Sequence, residues 1–368
     1  MKIQVFHFIL DHRVGGPHVY VRNLSQALAP DIESTIMTSG QGVQTDIALL
    51  NLRHWLPWLY LFEVILNTIV LCWWFRRRKS RQNVIYDVHG AANLAPIVAA
   101  RIMNIPVVWH FHETVRKFLT LVTFGKVMIA GIPHRMVVVA KKAAIVFKLS
   151  DTTLIPGAVD PNFWSSSMTS SSPCDSVRRL RILSVGNLNP LKGADVLLTA
   201  LELFEKPWEL VIVGAELQTH SGYSRDLHEH AYRLESPKRL IRFAGWQSSE
   251  EVRNLMLCSD VFVLSSRSEA CPLALLEAMA AGCACVATDV GDVREILETT
   301  GCGIVVPSDS PLALAAALEY VAEIGTAERQ RMGKLAQEAI VAHYSLQTSA
   351  EKHLRIYEKL VSTREGAV

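Results

Sequence analysis

Two carboxylates, one ammonium and two imidazoles stand out among the side chains able to do chemistry. Glu269 and Glu277 lie eight positions apart in the stretch from Asp260 to Asp289, DVFVLSSRSEACPLALLEAMAAGCACVATD. An ionised carboxylate only accepts hydrogen bonds, so such a pair suits a ligand rich in hydroxyls. Lys192, in the loop GNLNPLKG (Gly186 to Gly193), offers the positive charge that phosphate attracts. His112 and His110, in PVVWHFHET (Pro106 to Thr114), point to the same side of an apolar run and could orient a ligand or move a proton. Each has a plainer meaning when read singly. A glutamate on an apolar helix is usually a solvated edge residue, a lysine a surface charge, and a strand histidine a core residue bonded to a carbonyl. Context has to decide.

The context is a run of strands that end in loops and lead into helices. Val261 to Ser265 is short, β-branched and aromatic, and reads as a buried strand. Pro272 to Ala281 reads as a helix with Pro272 near its first turn and Leu273 beside it, so Glu269 lies in the loop and Glu277 in the second turn. Backbone N–H groups at such a helix start, above the end of a sheet, are a natural phosphate seat. The same alternation recurs along the carboxy-terminal half, at Arg181–Gly186, Glu209–Gly214, Leu240–Gly245, Ala284–Asp289 and Ile304–Val306. It occurs in the amino-terminal half at Ile3–Leu10, Ser34–Thr38, Val84–Gly90, Pro106–Thr114, Met136–Ala140 and Thr153–Ile155. Alternating strands and helices imply parallel sheets covered on both faces. Gly15 and Gly16 fall where the first strand turns into a helix, where glycine permits close backbone approach to a ligand. The serine-rich stretch Ser165–Ser176 has little to bury and reads as a linker. Three parts follow: residues 1–170, residues 171–344, and a closing helix over 345–368 expected to return to the first domain.

A chain of 368 residues, half of them hydrophobic and a fifth charged, is globular and long enough for two cores. Its net charge of +2 conceals an asymmetry: residues 1–180 carry 19 Lys and Arg against 10 Asp and Glu, residues 181–368 carry 18 against 25. The basic half suits an anionic partner, and the absence of any nucleic-acid module favours a phospholipid surface over DNA or RNA. Seven cysteines without regular spacing argue for reduced core thiols, with one of Cys283 and Cys285 facing the core. The amino-terminal apolar run is too short and interrupted for a signal peptide, so a cytoplasmic location is expected. Trp55 to Phe75, WLPWLYLFEVILNTIVLCWWF, could form a helix long enough to cross a bilayer. The strands on either side should share one sheet, which forbids crossing. A core helix, a subunit contact and a helix lying in the membrane surface remain. Trp73 and Trp74 followed by Arg76, Arg77, Arg78 and Lys79 favour the last, on the inner face of the membrane.

Glu-Ala-Cys-Pro followed by Leu-Leu-Glu-Ala-Met-Ala-Ala-Gly resembles the paired-glutamate motif of the retaining glycosyltransferases of family 4. The resemblance is specific from about Arg181 to Pro307 and looser before. It implies the GT-B fold, two Rossmann-like domains facing across a cleft, and transfer of a sugar from a nucleotide-diphosphate donor with its α configuration retained. Under it Glu277 would bind ribose hydroxyls and Glu269 the sugar, and Lys192 would neutralise the diphosphate. His112 would orient the sugar, and Gly15, Gly16, Pro272 and Leu273 would line the donor site. Asn187 departs from the pattern, standing where an arginine is usual. An amide supplies no charge, which leaves the phosphate to Lys192, Arg13 or helix N-termini. No acidic Asp-x-Asp pair is present, so neither a metal nor a cofactor beyond the donor is expected. The acceptor would be a glycan or a lipid-linked molecule of the cell envelope. A non-catalytic GT-B scaffold and a nucleotide-sugar epimerase are the alternatives.

Overall fold

The structure, a computed structural model, describes residues 2–9, 16–38, 49–50, 59–78, 83–113, 119–165, 179–298 and 300–365. The chain divides into two compact units, one of residues 1–157 with 346–368, the other of residues 158–345. The division at Gly157 and Ala158 precedes the serine-rich stretch, most of which lies outside the described residues.

In chain order the first unit contains β1 (Ile3–Ile9), α1 (Gly16–Leu28), β2 (Ile32–Thr38), α2 (Tyr60–Arg77), β3 (Val84–His89) and α3 (Ala95–Met103). It continues with β4 (Val107–Phe111), α4 (Leu119–Ile129), β5 (His134–Val138), α5 (Lys141–Val146) and β6 (Thr152–Leu154). The second unit runs α6 (Pro161–Ser165), β7 (Leu180–Val185), α7 (Ala194–Leu203), β8 (Trp208–Val213), α8 (Ser221–Leu234), β9 (Arg239–Gly245), α9 (Ser249–Cys258) and β10 (Val261–Leu264). It ends with α10 (Leu273–Ala280), β11 (Ala284–Thr288), α11 (Val293–Glu298), β12 (Gly303–Val306), α12 (Pro311–Glu323) and α13 (Gly325–His343); α14 (Leu346–Glu365) belongs to the first unit.

Each unit holds one six-stranded parallel sheet. The orders are β2-β1-β3-β4-β5-β6 and β12-β11-β10-β7-β8-β9. In both, the chain works outward from a starting strand and then returns to its other side. The strand order therefore reverses between β1 and β3 and between β7 and β10. Loops leaving a reversal diverge, and ligands bind in α/β sheets at that point. Both sheets are covered on two faces, which explains their nearly continuous apolar strands. It also corrects the cysteine expectation: Cys283 and Cys285 are both buried, because two residues apart they point to the same side and share one core.

One face of the first sheet is uniformly apolar; the other mixes Val5, Ile85, Val108 and Val137 with polar side chains. Phe6, Phe8, Tyr86, Val88, Trp109 and Phe111 pack with Leu71, Phe75, Ile97 and Val122 of α2, α3 and α4. The alternate positions His7, Asp87, His89 and His110 are also buried, and α1 and α14 pack together with α14 against β3.

Helix α2 begins at Tyr60 and extends to Arg77, two residues past the expected end; Trp55 to Trp58 lie outside the described residues. The helix buries polar side chains beside the apolar Val64, Leu71, Cys72 and Phe75, and it also leaves apolar ones outside. Glu63, Asn67 and Thr68 are buried, Asn67 bonding both backbone groups of Leu50 at 2.9 Å. Leu61, Phe62, Ile65, Ile69 and Trp73 are about half exposed or more. Leu61, Ile65, Ile69 and Trp73 follow one another at i, i+4 spacing and form an outer apolar stripe. Arg77 closes it, stacked 4.0 Å over the Trp73 ring. Strands β2 and β3, which flank this helix in sequence, sit in one sheet on either side of β1. Among the described residues no helix is long and apolar enough to cross a membrane.

Candidate active site

At the strand-order reversal of the second sheet, the loops after β7 and β10 bring Lys192 and Glu269 together. Lys192 Nζ donates to Glu269 Oε1 at 2.6 Å, and Ser266 Oγ donates to the same oxygen at 2.8 Å. The Lys192 loop is held close by glycine. Gly193 has φ +63°, and a Cβ there would lie 2.1 Å from the Ser265 carbonyl oxygen. Ser265 Oγ in turn donates to the Lys192 carbonyl. Gly291 plays the same part behind Glu269, where a Cβ would meet the Ala270 carbonyl oxygen at 2.2 Å.

Pro272 is the N-cap of α10, with extended backbone, not a first-turn residue, and Leu273 is the first helical position. Proline lacks an N–H, so the donors at this helix start begin at Leu273. Glu277 is one turn further on, part-buried, with no side-chain partner among the described residues. Burial raises its carboxyl to about 7. An isolated carboxyl so placed gains strongly from any ligand that donates to it.

Asn187 has a local task. Its Oδ1 accepts the Ala215 N–H at 3.1 Å and ties the β7 loop to the β8 loop, leaving only Nδ2 to donate outward. Gly214 allows this junction, since a Cβ there would meet the Gly186 carbonyl oxygen at 2.1 Å. Gly16 opens α1, while Gly15 and Arg13 lie outside the described residues.

Sequence reasoning missed Arg267. Its backbone N–H donates to the Leu191 carbonyl, and the guanidinium donates to the Pro190 carbonyl at 2.6 Å and forks onto Asp195 at 2.6 and 2.9 Å. Tyr223 donates to the same Asp195 carboxylate. Arg267 thus clamps the segment that carries Lys192, and the bond to Asp195 raises its already high pKa further. It sits two residues before Glu269, but nothing in the sequence pairs it with Asp195.

In the first unit, β3 and β4 carry a cluster of imidazoles. The register sets His7 beside Asp87 and His89 beside His110. Asp87 receives His7 Nδ1 at 2.8 Å and the Tyr357 hydroxyl at 2.7 Å, with His110 Nε2 2.7 Å from its other oxygen. Burial alone would raise the Asp87 carboxyl; the surrounding imidazoles and their hydrogen bonds outweigh it and hold it well below the usual range. His112, half-buried at the end of this row, shares a 2.9 Å contact between its Nε2 and His89 Nδ1. His110 is buried against the carboxylate, a partner other than the expected carbonyl. Two groups, His89–His110–His112 and His7–Asp87–His89, bring one ligand atom each within 4.8 Å of one another, the spacing at which a metal ion could be held.

Two Rossmann-like units with parallel six-stranded sheets define the GT-B plan. The sequence pattern of the family "Glycosyl transferases group 1" matches residues 176–339. The phosphatidyl-myo-inositol mannosyltransferase of Mycobacterium tuberculosis is 30% identical over 286 residues, covering 73% of this chain and 72% of that protein. Among solved structures, a glycosyltransferase from Rickettsia africae ESF-5 superimposes with a TM-score of 0.80 at 18% identity, over 98% of this chain and 99% of its own. Anabaena Alr3699/HepE, determined in complex with UDP and glucose, gives 0.78 at 16% identity over 97% and 100%. The chain belongs to the group 1 glycosyltransferases.

Proposed function

We propose that this glycosyltransferase moves a sugar from a nucleoside-diphosphate donor, with retention at the anomeric carbon, onto a lipid-linked acceptor at an anionic membrane surface. The observation that carries the donor assignment is the Lys192–Glu269 pair at the reversal between β7 and β10, with Glu277, which has no side-chain partner among the described residues, on the helix that follows. A diphosphate would take the ammonium from Glu269 and free that carboxylate to accept hydroxyls of the sugar. Glu277 would accept the ribose hydroxyls. His112 would orient the sugar, as the family resemblance implies. Negative charge grows on the departing diphosphate, so Lys192 and the N–H groups at the start of α10 would do the largest share of the catalysis. Front-face attack lets the leaving phosphate take the acceptor proton. With no Asp-x-Asp pair in the sequence, the transfer is expected to survive EDTA.

The acceptor assignment draws on α2, whose outer apolar stripe ends in Trp73 and Arg77 with Arg76 beside them. Aromatics suit headgroup depth and cations anionic lipid. A relative that mannosylates phosphatidyl-myo-inositol fits the same picture. The test is a panel of UDP, GDP and ADP sugars, offered with phosphatidylinositol and with envelope lipid extract, the product anomer being read by NMR. A lipid-linked α-glycoside supports the proposal. An isomerised free nucleotide sugar would make the chain an epimerase. No turnover with any donor, together with no donor binding by calorimetry, would leave a scaffold role, for which the uncharged Asn187 is the structural argument.

A further inference from the structure

We propose that Asp87 and His89 are positioning residues that lock His112 in its neutral Nε2–H tautomer, so that His112 Nδ1 presents a fixed lone pair to a sugar hydroxyl. This rests on the reading of His112 as the residue that meets the transferred sugar. An ionised carboxylate only accepts, so every polar atom aimed at it carries a proton. His89 Nε2 is buried, has no hydrogen-bond partner among the described residues, and lies 3.4 Å from Asp87 Oδ2. A lone pair there would face a negative oxygen in a dry interior, so the proton stands on Nε2. Burial pushes the His89 imidazole down to about 4, which keeps the ring neutral and leaves its other nitrogen, Nδ1, as an acceptor.

That acceptor is 2.9 Å from His112 Nε2, with the two ring planes 29° apart. His112 must therefore donate from Nε2. Burial among the rings also holds His112 well below the usual imidazole range, so it stays neutral and its proton is already committed. Nδ1, with no partner among the described residues, is left as a pure acceptor. It can receive a sugar hydroxyl but can neither donate to a phosphate oxygen nor carry positive charge.

The groups facing this row leave the assignment intact. From β1 comes His7 and from β4 His110, both directed at Asp87. From α14 come Tyr357, which donates to Asp87, and His353, whose Nδ1 is bonded to the Ser349 carbonyl. From α1 the Tyr20 ring meets the edge of His112. A metal ion between His89 and His112 is disfavoured by their separation: two nitrogens each about 2.0–2.1 Å from a tetrahedral ion stand more than ~3 Å apart.

The test uses the full-length protein labelled with 15N, and two-bond 15N–1H imidazole spectra from pH 5.5 to 9. The expected result is a His112 signal in the Nε2–H pattern throughout, without titration. In His89→Leu the pattern should average between tautomers and begin to titrate, with kcat falling roughly tenfold or more. His89→Gln, whose amide oxygen can accept from His112, should restore both. A wild-type His112 that is protonated at pH 7, or in the Nδ1–H form, overturns the proposal, as does stoichiometric divalent metal bound through His89. The wild-type spectrum decides even if His89→Leu fails to fold. A His112→Ala variant that transfers sugar normally would instead sink the reading of His112 as a sugar contact, while the spectra still report on the tautomer lock.

Discussion

A lysine 2.6 Å from a glutamate would ordinarily be a surface ion pair of little consequence. In the loop after β7 it is the cation that the proposed function sets against the donor diphosphate. Lys192→Ala should lower kcat by about 10²–10³, the scale of losing one preorganised donor to a growing negative charge. Lys192→Arg should recover part of the loss, and steady-state kinetics with saturating donor would check both. Glu277 allows a pH test. Its folded carboxyl is raised to about 7 from an ordinary 4.5, so the folded empty protein binds the extra proton between those values. Stability from this group therefore rises as pH falls from 7 toward 4.5, and the penalty of the buried charge is fully present above 7. Donor hydroxyls need the ionised form, so the donor Kd should weaken as pH drops from 8 to 6. Glu277→Gln should raise Tm by a few degrees at pH 8 and remove that pH dependence while weakening donor binding. Thermal melts and calorimetry across pH measure both.

Strands and loops decide whether such residues meet. Gly193→Ala forces a left-handed residue and a Cβ against the Ser265 carbonyl oxygen, and should cost roughly 2 kcal/mol or more along with donor affinity. Arg267→Met keeps the aliphatic stem but loses the fork onto Asp195 and the bond to Pro190. It should lower kcat/KM far more than it lowers Tm, because the Lys192 loop is loosened while the sheet is untouched. On the other unit, Tyr357→Phe removes a donor from the buried Asp87 carboxylate and should destabilise by about 1–3 kcal/mol in urea unfolding. The elements themselves were legible. The strands expected at Val84–Gly90, Val261–Ser265 and Ala284–Asp289 match β3, β10 and β11 to within a residue at each end. The Arg267–Asp195 fork was not, since its partners are 72 positions apart and neither carries a local pattern.

Across the whole molecule, the basic half and the outer apolar stripe of α2 make one expectation. Sedimentation with phosphatidylglycerol vesicles should retain the protein at low salt and release much of it by 0.5 M NaCl, whereas neutral phosphatidylcholine should retain little. Replacing Ile65, Ile69 and Trp73 by serine should abolish retention with little loss of stability, because these side chains already face outward. By itself the sequence determined two parallel α/β sheets, the strand exits that carry Lys192, Glu269 and His112, and the family resemblance, because hydrophobic period and short motifs are local properties of the chain. Only the tertiary structure decided that Asn187 spends its carbonyl on Ala215, that α2 buries Glu63, Asn67 and Thr68, and that four buried groups gather on Asp87. Those facts depend on which strands become neighbours, and residues as distant as Asp87 and Tyr357 meet only when parallel pairing and helix packing bring them within hydrogen-bond reach.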